Sequence, residues 1–505
     1  MNLPRRKFLK AGAGSLALLA AGCDQLPHEL RTFFAIETRR EGPFGAPTKT
    51  TIDPITHALN RCGFGARPGD YDRIRKLSSS SEEAAAAYLE QQLAPEKLDD
   101  ERAELEARRF ETLSEPLGEL FEYQQELLQN ELRRATVVRA VFSERQLYEV
   151  MVEFWSDHFN IDPSKGDCKW LKVADDRDVI RKHALGRFPE MLRASALSPA
   201  MLWYLDGRVN RRERAADKPN ENYARELLEL HTLGVHGGYS QQDVMEVARC
   251  LSGWTVRSTE EKPYFQIGKV EFHPKRHDFG AKVVLGHELP AAPAGLKPDE
   301  LVRRGQQELE QVLELATRHP ATAQHIATKL CRRFIADEPP ADAVQAVAAV
   351  FSGTTGDIRA TLRALFATEE FQRERGTKFK RPFEFVISAL RATDAQTDAS
   401  LQIIDYLIRM GHVPFGYPTP DGYPQQPEPW MGTLLWRWNF AVALSQNRIK
   451  GTRVDIAALR RNAGGEDALV AHMLGRKPTR EEGQAYHDSG DGLALLLASP
   501  AFQWC

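Results

Sequence analysis

The sequence predicts a mainly α protein: a multi-helix, bundle-like body in two packed sub-cores with a small inserted β-hairpin. Three observations predict it. Apolar residues recur at helical spacing through most of the chain after residue 50, with prolines standing where helices would begin. Only one stretch, 264–286, alternates as strands do and is rich in Val, Phe and Tyr. The body, residues 51–505, exceeds the roughly 250–300 residues at which one core stops growing, so sub-cores are expected at about 51–255 and 291–505, with the hairpin insert at about 256–290.

Residues 1–23 read MNLPRRKFLKAGAGSLALLAAGC. Arg5, Arg6, Lys7 and Lys10 form a basic start, an apolar run from Ala11 to Ala21 follows, and small residues lead to Cys23. The run is too short and too weakly apolar to span a bilayer, so the segment reads as an export signal. It resembles a twin-arginine signal ending in a lipobox, with Pro4 and Ala20 at positions where other residues are commoner. The resemblance implies a twin-arginine translocase as partner during export and a lipid on Cys23 that tethers the protein to a membrane. Asp24 resembles the retention signal of inner-membrane lipoproteins, which places the chain on the periplasmic face of the inner membrane. Residues 24–50, with Pro27, Pro43 and Pro47 and little apolar periodicity, read as a flexible tether.

In the body, Ser80 stands three residues before Glu83 as a capping box ahead of AAAAYLEQQL. Residues 115–160 keep helical spacing almost throughout. Pro219 and Asn220 open a helix expected to run to Gly234. Further helices are expected at 298–318, 320–335, 340–351, 357–366, 382–391 and 399–410, with Pro298, Pro320, Pro340 and Pro382 in first turns. Residues 411–430, GHVPFGYPTPDGYPQQPEPW, hold six prolines and fit no regular element. A loop of that length is a candidate functional surface, displaying Phe415, Tyr417, Tyr423 and Trp430.

Composition narrows the function. The chain has 67 basic and 70 acidic residues, net −3, and loss of the signal's four basic residues leaves −7. A mildly acidic protein lacks the basic face that a nucleic acid requires. Cys62, Cys168, Cys250, Cys331 and Cys505 form no C-x-x-C pair and read as buried, inert thiols. No G-x-S-x-G elbow, Walker loop, H-E-x-x-H or C-x-x-C-H motif is present.

Polar residues at helical spacing are the candidates for chemistry. In PNENYARELLELHTLGVHGGYS, residues 219–240, Asn222, Glu226 and Glu229 share a stripe, and His231 lies on the apolar side. Two carboxylates three residues apart can share a cation or a proton, or can simply be a solvated face. In RQLYEVMVEFWSDHFNI, residues 145–161, Trp155 and His158 share the apolar face, where a His is a ligand or a core residue, while Asp157 and Asn160 point elsewhere and can line a neighbouring cleft. In the hairpin, His277, Asp278 and Lys282 would form a turn that supplies a base or a metal ligand, or only a polar turn.

These blocks, with LNRCGFGARPGD (59–70), FWSDHFNI (154–161), PNENYARELLELHTLG (219–234), ARCLSGW (248–254), HDFGAKVVLG (277–286), KRPFEFV (380–386) and W…LLWRWNFA (430–441), resemble the bacterial domain-of-unknown-function family 1800, from about Thr56 to the C-terminus. Members of that family are similar in being exported, often by twin-arginine signals, and are frequently encoded beside a second exported family that looks like a sulfatase or phosphatase fold. The resemblance implies an extracytoplasmic role and a partner, and no established reaction. Asn222, Glu226, Glu229, His231, Trp155, His158, His277 and Asp278 match the family's blocks; the 411–430 loop departs from its commoner PPNVxGWPxG pattern.

Two functions are consistent with this sequence. The first is an accessory or scaffold protein acting with another exported protein at the cell envelope, its loop aromatics, Trp430 among them, forming the docking surface. The alternative is an extracytoplasmic hydrolase, metal-dependent or acid–base. There Glu226, Glu229, His231, His277 and Asp278 would do the chemistry, Asn222, Trp155, His158 and Lys282 would bind, and Glu226, Glu229, His158 and His277 would hold a divalent metal. That alternative requires Glu226 and Glu229 to approach His158 or His277.

Overall fold

The computed structural model describes residues 43–214, 216–257 and 266–505. The export signal, Cys23, Asp24 and most of the tether lie outside the described residues. The end of the tether is already part of the body. Phe44 is buried, its N–H donates to the Asn462 carbonyl at 2.8 Å, and its ring meets His472 edge-on at 4.9 Å. The body therefore begins at Pro43 rather than near Thr51, because an aromatic side chain with a pocket to fill docks the chain that carries it.

Among the described residues helices dominate, joined by three two-stranded ladders. Ser80 caps the helix Ser81–Gln92 by accepting from the Glu83 N–H at 3.1 Å, while the Glu83 carboxylate takes the Ser78 hydroxyl instead of closing the reciprocal box. Pro298, Pro320 and Pro382 are the first residues of Pro298–Arg318, Pro320–Phe334 and Pro382–Ala392, where a missing N–H costs nothing. Pro340 stands one residue earlier, as the N-cap of Ala341–Gly353. The stretch 115–160 resolves into Gln125–Phe142 and Gln146–His158 behind a short 3₁₀ turn.

The helix expected over 219–234 is shorter and changes form. Asn222–Glu226 is α-helical, and Leu227–His231 is a π turn. The Thr232 hydroxyl donates to the Leu227 carbonyl at 2.6 Å, and the Gly234 N–H donates to the Leu228 carbonyl at 3.1 Å, closing the widened end. The π turn carries more residues than an α turn, so Glu229 and His231 no longer sit where 3.6-residue spacing puts them.

The single hairpin expected within 264–286 is two ladders. β1 (Trp254–Val256) pairs antiparallel with β2 (Val270–Phe272), and β3 (Lys282–Val284) pairs with β4 (His287–Leu289). Pro274 starts a 3₁₀ turn that ends β2, and Leu285 and Gly286, both at positive φ, make the two-residue turn that closes β3 on β4.

Buried apolar side chains join into one main cluster running from Phe44 to Phe502, fed by both sides of the 256–290 segment. Two small clusters hold the 411–430 loop, one through Phe415 and one through Tyr423 and Trp430. Asn160 Nδ2 donates to the Tyr417 and Thr419 carbonyls at 2.9 and 2.7 Å, and the Tyr423 hydroxyl donates to the Val413 carbonyl at 2.9 Å. Gly422, at φ +74°, rests against the C-terminal end of the 146–158 helix, where a Cβ would lie 2.2 Å from the Asp157 carbonyl oxygen. No helix among the described residues is long and apolar enough to cross a membrane.

Candidate functional site

The 146–158 helix has two polar-bearing faces with separate fates. Leu147, Met151, Phe154, Trp155 and His158 point into the main core. Glu149, Val152, Glu153, Ser156 and Asp157, spaced at three and four residues, line one side of a cleft. Phe383, His412, Phe415 and Tyr423 are on its other walls, so the 411–430 loop roofs it; the cavity holds about 30 Å³ and opens to solvent.

An ion network floors this cleft. Arg381 Nη2 lies 2.7 Å from Glu153 Oε1 and 3.2 Å from Glu384 Oε1, and its Nη1 lies 3.2 Å from Asp157 Oδ2. Arg333 Nη2 lies 3.0 Å from Glu384 and 3.7 Å from Glu153 Oε2. Two guanidinium groups thus face three carboxylates at contact distance. Arg381 and Arg333 are both buried, and the Glu153 side chain is 11 % exposed. Burial pushes the Glu384 carboxyl up, but Arg333 and Arg381 outweigh it and hold the group well below the usual carboxylate range. Glu153 takes the opposite course. Burial raises it, the two arginines oppose, Glu384 and Asp157 add to the rise, and the acid is pushed up to about 7. Burial also raises Asp157, against the pull of Arg381 and the more distant Lys329. Two buried polar atoms here, Glu153 Oε2 and Ser156 Oγ, have no hydrogen-bond partner among the described residues.

Glu153, Asp157 and His412 each bring one ligand-type atom within 4.8 Å of the others, the one such trio among the described residues. The donor set does not fit a divalent ion. His412 Nδ1 accepts from the Phe383 N–H at 3.3 Å, so in the neutral ring Nε2, 3.9 Å from Glu153 Oε1, carries the proton and offers no lone pair. Arg381 already occupies the fork between the two carboxylates.

The residues singled out by sequence go elsewhere, into separate places. His158 Nε2 donates to the His231 carbonyl at 3.2 Å, and His325 Nε2 donates to the Leu230 carbonyl at 3.1 Å. Both carbonyls belong to the end of the π turn, so these rings cap a helix terminus. His158 Nδ1 receives the Lys329 Nζ at 2.9 Å, which leaves no lone pair for a metal. Burial, then Lys329, holds His158 well below its ordinary value and His231 at about 3; Lys329 itself is lowered by burial to about 8. His231 is fully buried, and neither nitrogen has a hydrogen-bond partner among the described residues. Trp155 donates Nε1–H to the Ala184 carbonyl at 3.0 Å and is a core residue.

His277, Asp278 and Lys282 do come together, but as an internal ion network. His277 Nδ1 lies 2.7 Å from the Ser252 carbonyl oxygen, and its Nε2 lies 3.2 Å from Glu308 Oε2, which also takes Lys282 Nζ at 2.6 Å. Asp278 is paired with Arg249 at 2.8 Å and Arg212 at 2.7 Å. Burial raises its carboxyl, but Arg249, the Gly280 N–H and Arg212 outweigh it and hold it well below the usual range. His277, Asp278 and Lys282 thus each have a partner inside the protein rather than standing in a free polar turn. Glu226 and Glu229 stay half-buried, Glu229 accepting from the Tyr239 hydroxyl at 3.4 Å. Burial raises Glu226, and Glu229 adds to the rise. Asn222 is exposed, donating to the Leu205 carbonyl at 3.1 Å. The expected metal set of Glu226, Glu229, His158 and His277 is therefore not assembled, because the histidines are committed to carbonyls and ion pairs on different elements. Trp430 is 4 % exposed, stacked on His412 at 5.0 Å with Tyr423 buried beside it, and Phe415 is buried in a separate cluster, so these three aromatics face inward while Tyr417 is half-buried.

Sequence reasoning missed Glu153, Glu384, Arg333, Arg381 and His412. Two signals were present: carboxylates four apart on an apolar helix, and Arg381 and Glu384 within KRPFEFV. The family model described as a protein of unknown function (DUF1800) matches residues 57–504. No curated protein and no solved structure gives a match. With a family model covering nearly the whole body, the chain belongs to the DUF1800 family.

Proposed function

We propose that this protein is an exported, lipid-anchored envelope protein that performs acid–base chemistry in the cleft beneath the 411–430 loop. The observation that carries it is the surplus acid: three carboxylates meet two guanidinium groups, burial pushes Glu153 up to about 7, and neither Glu153 Oε2 nor Ser156 Oγ, both on the cleft side of the helix, has a hydrogen-bond partner among the described residues. Aromatic walls at Phe64, Phe383 and Tyr423 over a floor of carboxyl and hydroxyl groups suit a hydroxyl-rich substrate, and the reaction class is hydrolysis of a glycosidic or ester link. Glu153 as the acid donates its proton to the leaving oxygen, and as carboxylate takes one from the attacking water. Arg381 holds Glu153 and Asp157 at fixed spacing. The inward aromatics of the loop weigh against the accessory reading, which needs them on the surface.

Purified protein assayed against a panel of aryl glycosides and aryl esters is expected to hydrolyse members of it, with Glu153→Gln reducing the rate by about 10²–10⁴-fold. The rate should fall as pH rises through about 7, where the acid form is lost. Equal turnover by the variant would exclude the role given to Glu153. Export is tested separately: palmitate should label the wild-type chain and not Cys23→Ala, and label persisting in that variant would remove the anchor.

A further inference from the structure

The helix Leu434–Ser445 is covered on one side, where Arg437 is buried and donates to Gln503 Oε1 and the Lys380 carbonyl, and carries an uncovered apolar stripe on the other. Inward, Phe440, Ala441 and Leu444 are buried. Outward, Leu434, Leu435, Trp438 and Val442 are 46, 65, 57 and 39 % exposed, and Met431, one turn ahead, is 56 % exposed. Their spacing of three and four residues sets them along one stripe. Arg409 lies over Trp436 at 4.7 Å, bringing the end of the helix Leu401–Arg409, with its exposed Ile408, alongside. An apolar helix stripe left open to solvent, with a Trp on it, marks a surface that meets an apolar phase.

Charge identifies the phase. The chain is net −3, yet residues 446–454 after the helix carry Arg448, Lys450 and Arg453 and no acid. All three are exposed, and none forms an ion pair with a carboxylate among the described residues. A protein surface built to meet another acidic protein would need the cations within the contact. Here they follow the stripe's end, which is how cations border an apolar face at the boundary between lipid headgroups and acyl chains. Trp is the residue that favours that boundary.

We propose that this face docks on an anionic lipid bilayer, Leu435 and Trp438 entering the headgroup region while Arg448, Lys450 and Arg453 lie against lipid phosphates. The surface shares no residue with the cleft chemistry. It would set the body's orientation on the membrane, a property that a lipid on Cys23 alone leaves free.

The test uses the polypeptide from Asp24 to Cys505, which contains the whole described body and carries no lipid, so its outcome does not depend on export or on Cys23. It is sedimented with vesicles of phosphatidylethanolamine and phosphatidylglycerol, and with vesicles of phosphatidylcholine alone. Binding is expected to the anionic vesicles, with a blue shift of tryptophan emission and weakening as salt is raised. Leu435→Ser with Trp438→Ser, and separately Arg448→Gln with Lys450→Gln, should each weaken binding by at least about tenfold, with helical circular dichroism unchanged. Trp438→Phe should keep most of it. The proposal is overturned if the wild-type chain stays in the supernatant, or if the serine variant pellets as well as wild type. It is also overturned if the stripe proves to be covered by a second copy, seen as a dimer that the serine substitutions dissociate.

Discussion

At Glu153, burial and two neighbouring carboxylates prevail over two arginines. The acid's ordinary value of 4.5 becomes about 7 in the folded protein, so between those limits the folded state binds more protons than the unfolded one. Stability from this group is therefore present at low pH and is lost as pH rises through about 7, by roughly 3 kcal/mol in all. Melting temperature measured from pH 5 to 8 should fall more steeply for wild type than for Glu153→Gln, which cannot titrate. The buried histidines push the other way in both proteins, so the difference between the two curves isolates Glu153; parallel curves would show that the carboxyl is not raised. The same residue shows how far single positions can be read. The spacing of Glu149, Glu153 and Asp157 on a helix is visible in the sequence, and Asp157 was expected to line a cleft. The arginines that decide which acid keeps its proton lie about 180 to 230 positions away, and nothing local announces them. His277 and Asp278 failed in the opposite sense: their chemistry was legible, but Arg212, Arg249 and Glu308, which use it up, come from three other segments.

Elements read well where the backbone itself leaves a mark. Pro298, Pro320, Pro340 and Pro382 located helix starts to within a residue, because the ring tolerates only the first turn, whereas Pro219 stands three residues ahead of the helix that begins at Asn222. The π turn at Leu227–His231 was invisible, since periodicity assumes 3.6 residues per turn and the widening is held by Thr232 and by two histidine rings from other helices. The 411–430 loop was marked as functional by its length and composition, and it does roof the cleft, but its aromatics turned inward because the loop has to supply its own core. Its hold on the 146–158 helix depends on Gly422. Gly422→Ala places a Cβ against the Asp157 carbonyl at a positive φ, and about 2–4 kcal/mol of destabilisation is expected in urea unfolding. Cleft activity should fall with it; a change below about 0.5 kcal/mol would mean that the loop is not seated on the helix.

For the molecule as a whole, the mainly α class followed from periodicity, and the inserted β region was located though its pairing was not. The sequence had the body starting eight residues late, because a single Phe outweighed a proline-rich, linker-like composition around it. The five thiols of the body are all buried and unpaired. Burial pushes those of Cys168, Cys250 and Cys331 up to about 12 and raises Cys62 further. Oxidants and reductants act on thiolates that they can reach, and these four sites supply neither ionised sulfur nor access. At these four positions the fold is thus blind to redox conditions: moved from a reducing solution to an oxidising one, they form no crosslink and need no isomerase to correct one.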